Sequence, residues 1–150
     1  MTIRGTRLAF VTAHLEAHEG TEHYENRCAN ITDILGGAKV GPRPRHHDVS
    51  LYAHHTFVCG DLNYRVVLPE LPSLMPHEEQ VEFVKEIVER EDWAYLNNAD
   101  ELGKALRQKD CLVGFQTLPC HFCPTFKVKR AEGWVYNSKR IPRYVVGCMH

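Results

Sequence analysis

A carboxylate and a carboxamide stand two residues apart in Gly60-Asp61-Leu62-Asn63-Tyr64-Arg65, directly after the apolar run Thr56-Phe57-Val58-Cys59. The acid can accept a proton or bind a cation, while the amide donates hydrogen bonds to the same bound group. Arg65 adds a planar fork suited to phosphate oxygens. A second polar tip, Thr12-Ala13-His14-Leu15, follows the apolar run that begins at Arg7. A third constellation, Pro124-Thr125-Phe126-Lys127 with Tyr136 and Lys139-Arg140, gathers cations around two aromatic rings. Each has a plain structural counterpart. Asp-x-Asn after Gly is a common turn composition, Lys139-Arg140 can be a solvated pair, and a histidine at a strand end is often structural. Taken singly, none of them names a reaction.

The six cysteines are even in number, but the chain is not a short disulfide-dense scaffold and reads as carrying reduced thiols. Cys120-His121-Phe122-Cys123 has a zinc-compatible spacing, yet a structural zinc site needs four ligands and no second pair stands nearby. The doublets His46-His47 and His54-His55 read as surface or satisfied histidines, because neighbours on a strand point to opposite faces.

The elements that must position these groups alternate in type. Arg7 to Leu15 is predicted as a buried strand with His14 at its C-terminal end. Tyr24, Cys28, Ile31 and Leu35 recur at helical spacing between His23 and Leu35, with Gly36-Gly37 as the stop. Val40 to Asp48 is a loop rich in Pro, Gly and basic residues, and Leu51 to Gly60 is a second strand. After a Pro-rich connection from Leu68, Pro76 opens a helix whose Val81, Val84 and Val88 share a face, ending near Glu91-Asp92-Trp93. Asn98 or Asp100 caps a short helix from Glu101 to Arg107, and extended loop with short strand follows. Two of the three constellations thus close predicted strands, where a sheet holds loop side chains rigidly yet exposed. The class is α/β, one layered domain over residues 1–150.

Composition narrows the partners. With 43% hydrophobic residues in a chain of 150, a proper core is available. Eighteen Lys and Arg against 19 Asp and Glu leave a formal net charge of -1. That balance argues against non-specific nucleic-acid binding, so an anionic partner must meet a local basic cluster. No apolar stretch reaches the roughly 20 residues of a transmembrane helix, and no signal-peptide core follows Met1, which predicts a cytoplasmic protein.

Phe10-Val11-Thr12-Ala13-His14-Leu15-Glu16-Ala17-His18, Phe57-Val58-Cys59-Gly60-Asp61-Leu62-Asn63-Tyr64-Arg65, Pro124-Thr125-Phe126-Lys127 and Tyr136-Asn137-Ser138-Lys139-Arg140-Ile141-Pro142 occur in that order. They resemble the inositol polyphosphate 5-phosphatases of the endonuclease/exonuclease/phosphatase superfamily. The resemblance implies a deoxyribonuclease-I-like αββα two-sheet sandwich, incomplete in this chain. It also implies magnesium-dependent removal of the 5-phosphate from phosphoinositides or inositol polyphosphates, with a membrane surface as peripheral partner and no nucleic acid. Carried over, Asp61 orients and helps deprotonate the attacking water, Asn63 bonds the reacting phosphoryl group and His14 stabilises charge on its oxygens. Tyr64, Arg65, Lys127, Tyr136, Lys139 and Arg140 hold the substrate.

The chain departs from that pattern at both ends. The family's Asn and Glu that bind magnesium have no counterpart before His14, and its Asp-Arg and Ser-Asp-His segments are replaced by Arg143-Tyr144-Val145-Val146-Gly147-Cys148-Met149-His150. The metal ligands are therefore unassigned, and the sequence reads as the central part of a 5-phosphatase domain. Groups that act as a unit lose activity together when members are missing. A non-catalytic phosphoinositide-binding module is the alternative expectation, and a metal-dependent nuclease of the same superfamily a further one.

Overall fold

In the computed structural model, residues 1–38, 40–41, 48–68, 71, 75–129 and 135–144 are described. His46-His47 and Cys148 fall outside them, as does most of the expected loop from Val40 to Asp48. The described residues pack as two compact units, one within 1–63 and 105–117, the other within 64–104 and 118–144.

The first unit is built on a three-stranded sheet of order β1-β2-β3. Strand β1 (Thr2–Ile3) turns back through Arg4 and Gly5, both at positive φ, to pair antiparallel with β2 (Thr6–His14). Such a two-residue turn matches the twist of a hairpin, and it adds a strand that the composition of Met1 to Gly5 did not announce. Strand β3 (His55–Asp61) lies parallel to β2, in register from Leu8↔His55 to His14↔Asp61. A parallel pair needs a crossover, provided by helix α1 (Thr21–Gly37), with Tyr24, Arg27, Cys28, Ile31 and Leu35 on its buried face.

Three local expectations change. Helix α1 runs through Gly36 and Gly37 instead of stopping before them, and the Ala38 N–H still reaches the Ile34 carbonyl. Glycine is a weak helix former, not an obligate stop, when no chain reversal follows. Leu51 is helical: Asp48 caps a short α2 (Val49–Tyr52) by accepting from the Ser50 N–H at 2.7 Å, so β3 starts only at His55. Finally, β3 runs one residue past the expected end at Gly60 and includes Asp61.

In the second unit, Val66, Leu68, Val84, Ile87, Val88, Leu96 and Tyr136 form the core. Helix α3 (His77–Glu89) contributes the predicted valine face, with Val81 and Val84 fully buried. Burying each such side chain contributes roughly 1.5–3 kcal/mol. Glu91, at φ 55, reverses the chain; the Asp92 N–H bonds the Ile87 carbonyl and the Glu91 N–H the Val88 carbonyl. That is a Schellman closure without glycine, and Asp92 at once caps a helix not foreseen, α4 (Trp93–Ala99), by accepting from the Tyr95 N–H. Asp100 then accepts from the Gly103 N–H at the start of α5 (Glu101–Gln108), the expected cap. Beyond it, single bridges Phe126↔Arg143 and Val128↔Tyr136 fold the chain back on itself.

Candidate active site

The parallel register settles where the first catalytic candidates meet. Because His14 and Asp61 are register partners at the C-terminal ends of β2 and β3, their side chains leave the sheet on one face, with His14 Nε2 3.9 Å from Asp61 Oδ2. That separation is too long for a direct hydrogen bond and lets one water contact both groups. The imidazole is 76% exposed and the carboxylate 30%, so the histidine reaches into solvent from a firmly held acid.

Gly60 makes this approach possible. Its φ is 128, and a Cβ there would lie 2.1 Å from the Ala13 carbonyl oxygen. No side chain fits between the two strands at that point. The Asp61 carbonyl accepts from the Leu15 N–H at 3.0 Å, which extends the ladder one step past His14.

Asn63 closes the same corner. At φ 57 its N–H turns back to Asp61 Oδ1 at 3.2 Å, and its side-chain Nδ2 donates to the Leu15 carbonyl at 2.8 Å. Asn is among the few residues that tolerate this left-handed conformation. The carboxamide is nearly buried at 3% exposure, so one edge of it is committed to holding the ends of β2 and β3 together.

The loop after His14 is held by groups that sequence inspection did not single out. Glu16 Oε1 lies 2.6 Å from His23 Nδ1 and also accepts from Asn26. The hydrogen bond from His23, then that from Asn26, holds the Glu16 carboxyl below its usual range. Arg27, wholly buried in α1, donates through Nη1 to the His18 carbonyl at 2.9 Å. A charged residue on the apolar face of the predicted helix was the available signal, since such a group is buried only with partners. His54 has a structural use: its Nδ1 accepts from the Arg7 N–H.

The second unit carries the cations. Lys127, Lys139 and Arg140 are exposed and Arg65 is half-buried. The Asn137 N–H bonds the Lys127 carbonyl, and Asn137 Oδ1 accepts from the Lys139 N–H, so this one residue ties Lys127 to the turn bearing Lys139 and Arg140. Tyr64 and Tyr136, expected among the groups facing substrate, lie instead in the interior at 2% and 8% exposure. The Tyr136 hydroxyl donates to the Pro124 carbonyl at 2.7 Å, which fixes the Pro-Thr-Phe-Lys segment from beneath. A large ring with a polar end serves well as such a buried strut.

Five cysteines, Cys28, Cys59, Cys111, Cys120 and Cys123, are free thiols. Burial, with the Asp100 carboxylate second, raises the Cys120 thiol above its ordinary range. Among the described residues no group of three or more His, Cys, Asp or Glu converges as a metal cage. A hard divalent ion takes several oxygen ligands, so the donors described do not by themselves fit the ion the family implies. No helix among the described residues is long and apolar enough to cross a membrane.

A strand-end acid, imidazole and carboxamide thus stand together on a layered α/β scaffold. Residues 1–145 match the model of the Endonuclease/Exonuclease/phosphatase family 2, and the chain belongs to that family. Among its relatives is phosphatidylinositol 3,4,5-trisphosphate 5-phosphatase 2B of Danio rerio, 30% identical over 133 residues, covering 88% of this chain and 10% of the relative. The inositol polyphosphate 5-phosphatase domain of SpSynaptojanin, solved with inositol (1,4)-bisphosphate and a calcium ion, superposes with a TM-score of 0.76 at 25% identity. It covers 97% of this chain and 39% of that one. A ferrous NO complex of Cimex nitrophorin matches at a TM-score of 0.67 and 22% identity, over 99% of this chain and 44% of that one, and shows the fold alone. The expected resemblance to inositol polyphosphate 5-phosphatases and to their deoxyribonuclease-I-like fold therefore holds, with one three-stranded sheet among the described residues. The chain spans about a tenth of the curated relatives it matches.

Proposed function

We propose that this chain is the central part of a 5-phosphatase catalytic domain, acting on the 5-phosphate of phosphoinositides or inositol polyphosphates. The observation that carries the proposal is the His14↔Asp61 register pair with Asn63 folded onto the same strand ends. Phosphoryl transfer asks mainly for positioning and for neutralisation of charge. Asp61 orients the attacking water and takes its proton, and His14 stabilises charge on the phosphoryl oxygens. Asn63 bonds the reacting group from a carboxamide already anchored at Leu15. Arg65, Lys127, Lys139 and Arg140 hold the remaining phosphates, with Tyr64 and Tyr136 supporting them from the interior. Magnesium dependence belongs to this proposal, the ion's ligands coming from outside the described residues, as does work in the cytoplasm on headgroups at a membrane surface.

A second reading, a phosphoinositide-binding module without turnover, is favoured by the lack of a converging metal cage among the described residues. One experiment separates the two. Phosphate release from phosphatidylinositol 4,5-bisphosphate and inositol 1,4,5-trisphosphate is measured with magnesium, alongside binding of the soluble trisphosphate, for the chain and for Asp61→Ala. Release that disappears in the variant is the expected result. Binding without release leaves the module, and neither binding nor release from folded protein overturns both.

A further inference from the structure

We propose that Glu101 is a positioning residue for phosphate recognition: its buried carboxylate fixes the backbone at Arg65 and so the direction in which that guanidinium meets an anionic substrate. The inference rests on the reading above, in which Arg65 holds a substrate phosphate. An acid in the first turn of a helix ordinarily faces water and complements the helix dipole. Glu101 stands there in α5 but is only 7% exposed, and its Oε2 accepts the Arg65 N–H at 2.9 Å, 36 positions back in the chain.

The local geometry explains why a side chain is needed at this point. Residues 65–67 and 99–101 run as a short antiparallel ladder, with the Val67 N–H on the Ala99 carbonyl, the bridge Val66↔Asp100, and the Glu101 N–H on the Arg65 carbonyl at 2.9 Å. A complete pair at Arg65 and Glu101 would also have the Glu101 carbonyl accept the Arg65 N–H. That carbonyl is turned along the axis of α5, where first-turn carbonyls accept intrahelical bonds. The side-chain oxygen takes its place. A buried carboxylate is tolerated only when hydrogen bonds replace its lost water, so the contact serves both partners. It also clamps the chain immediately after the Asp61-Leu62-Asn63 corner, at the residue whose side chain carries the charge.

The test uses the whole chain and four proteins: wild type, Glu101→Gln, Glu101→Ala and Arg65→Ala. Inositol 1,4,5-trisphosphate is titrated by calorimetry, and hydrogen exchange of the Arg65 amide is followed by NMR. Gln keeps an acceptor oxygen, so Glu101→Gln is expected to bind within about threefold of wild type with the Arg65 amide still protected. Glu101→Ala is expected to lose about tenfold in affinity together with that protection, approaching Arg65→Ala. Rescue by Gln separates positioning from a general effect of charge. Glu101→Ala that binds as wild type does while Arg65→Ala is weakened overturns the proposal, and so does unchanged protection of the Arg65 amide in Glu101→Ala. Absence of trisphosphate binding by the wild type would instead fell the substrate reading, and amide protection would then decide the clamp.

Discussion

Replacing Gly60 by Ala is the sharpest test of how this site is assembled. The new methyl would sit 2.1 Å from the Ala13 carbonyl oxygen, 3.0 Å from its nitrogen and 3.1 Å from its carbonyl carbon. All three are backbone atoms of the neighbouring strand, so no rotamer change relieves the contact. Overpacking in a rigid site costs roughly 1–3 kcal/mol, and holding an L residue in a sparsely populated φ region costs another 1–3 kcal/mol or so. Domains are stable by only about 5–15 kcal/mol. For a chain of this size each kcal/mol moves the melting temperature by roughly 2–4 °C, so a fall on the order of 10 °C is expected in a thermal melt followed by circular dichroism. The internal control is Gly5→Ala, where φ is also positive, at 83, but nothing lies within 4 Å of the added Cβ. It should lose about 1–2 kcal/mol from conformation alone. A Gly60→Ala melt no lower than that of Gly5→Ala would refute the reasoning, since the steric part would then be missing.

Other outcomes follow from single contacts. The Glu16 carboxyl is held below its ordinary value by His23, so its contribution is present above the usual carboxylate range and is lost as pH falls through the lowered folded value. The urea midpoint of Glu16→Gln should therefore lie under that of wild type near neutrality and converge on it as acidification protonates the carboxyl; parallel curves would contradict this. Asn97 grips the Cys120 backbone from both sides, Nδ2 to the carbonyl at 2.9 Å and Oδ1 from the N–H at 2.8 Å. Asn97→Ala is expected to cost about 1–3 kcal/mol in urea unfolding and to speed alkylation of Cys120, a thiol that burial pushes up from its ordinary range. Alkylation at the wild-type rate would show that the clamp does not shield it.

Fold and function are separable on this scaffold. The same scaffold superposes on an inositol polyphosphate 5-phosphatase domain and on a nitrophorin. The fold by itself therefore does not name the chemistry.

Much of this was local enough to be legible in the sequence. Short-range order set the motifs Thr12-Ala13-His14-Leu15 and Gly60-Asp61-Leu62-Asn63, the apolar period of α1, the valine face of α3 and the Asp100 cap, because each depends on neighbours within one or two turns. Contacts between distant segments were not legible. The His14↔Asp61 register joins residues 47 apart, the Arg65 N–H finds its acceptor 36 residues on, and Tyr136 is drawn inside by a core assembled from α3 and α4. Helix α4 and short α2 escaped notice because their caps, Asp92 and Asp48, read equally well as turn residues until packing chose between them. Sequence alone determined which chemical groups this protein owns and their order along the chain. Tertiary structure alone decided which of them face solvent and which are held inside, because burial and register are properties of segments brought together and not of their own residues.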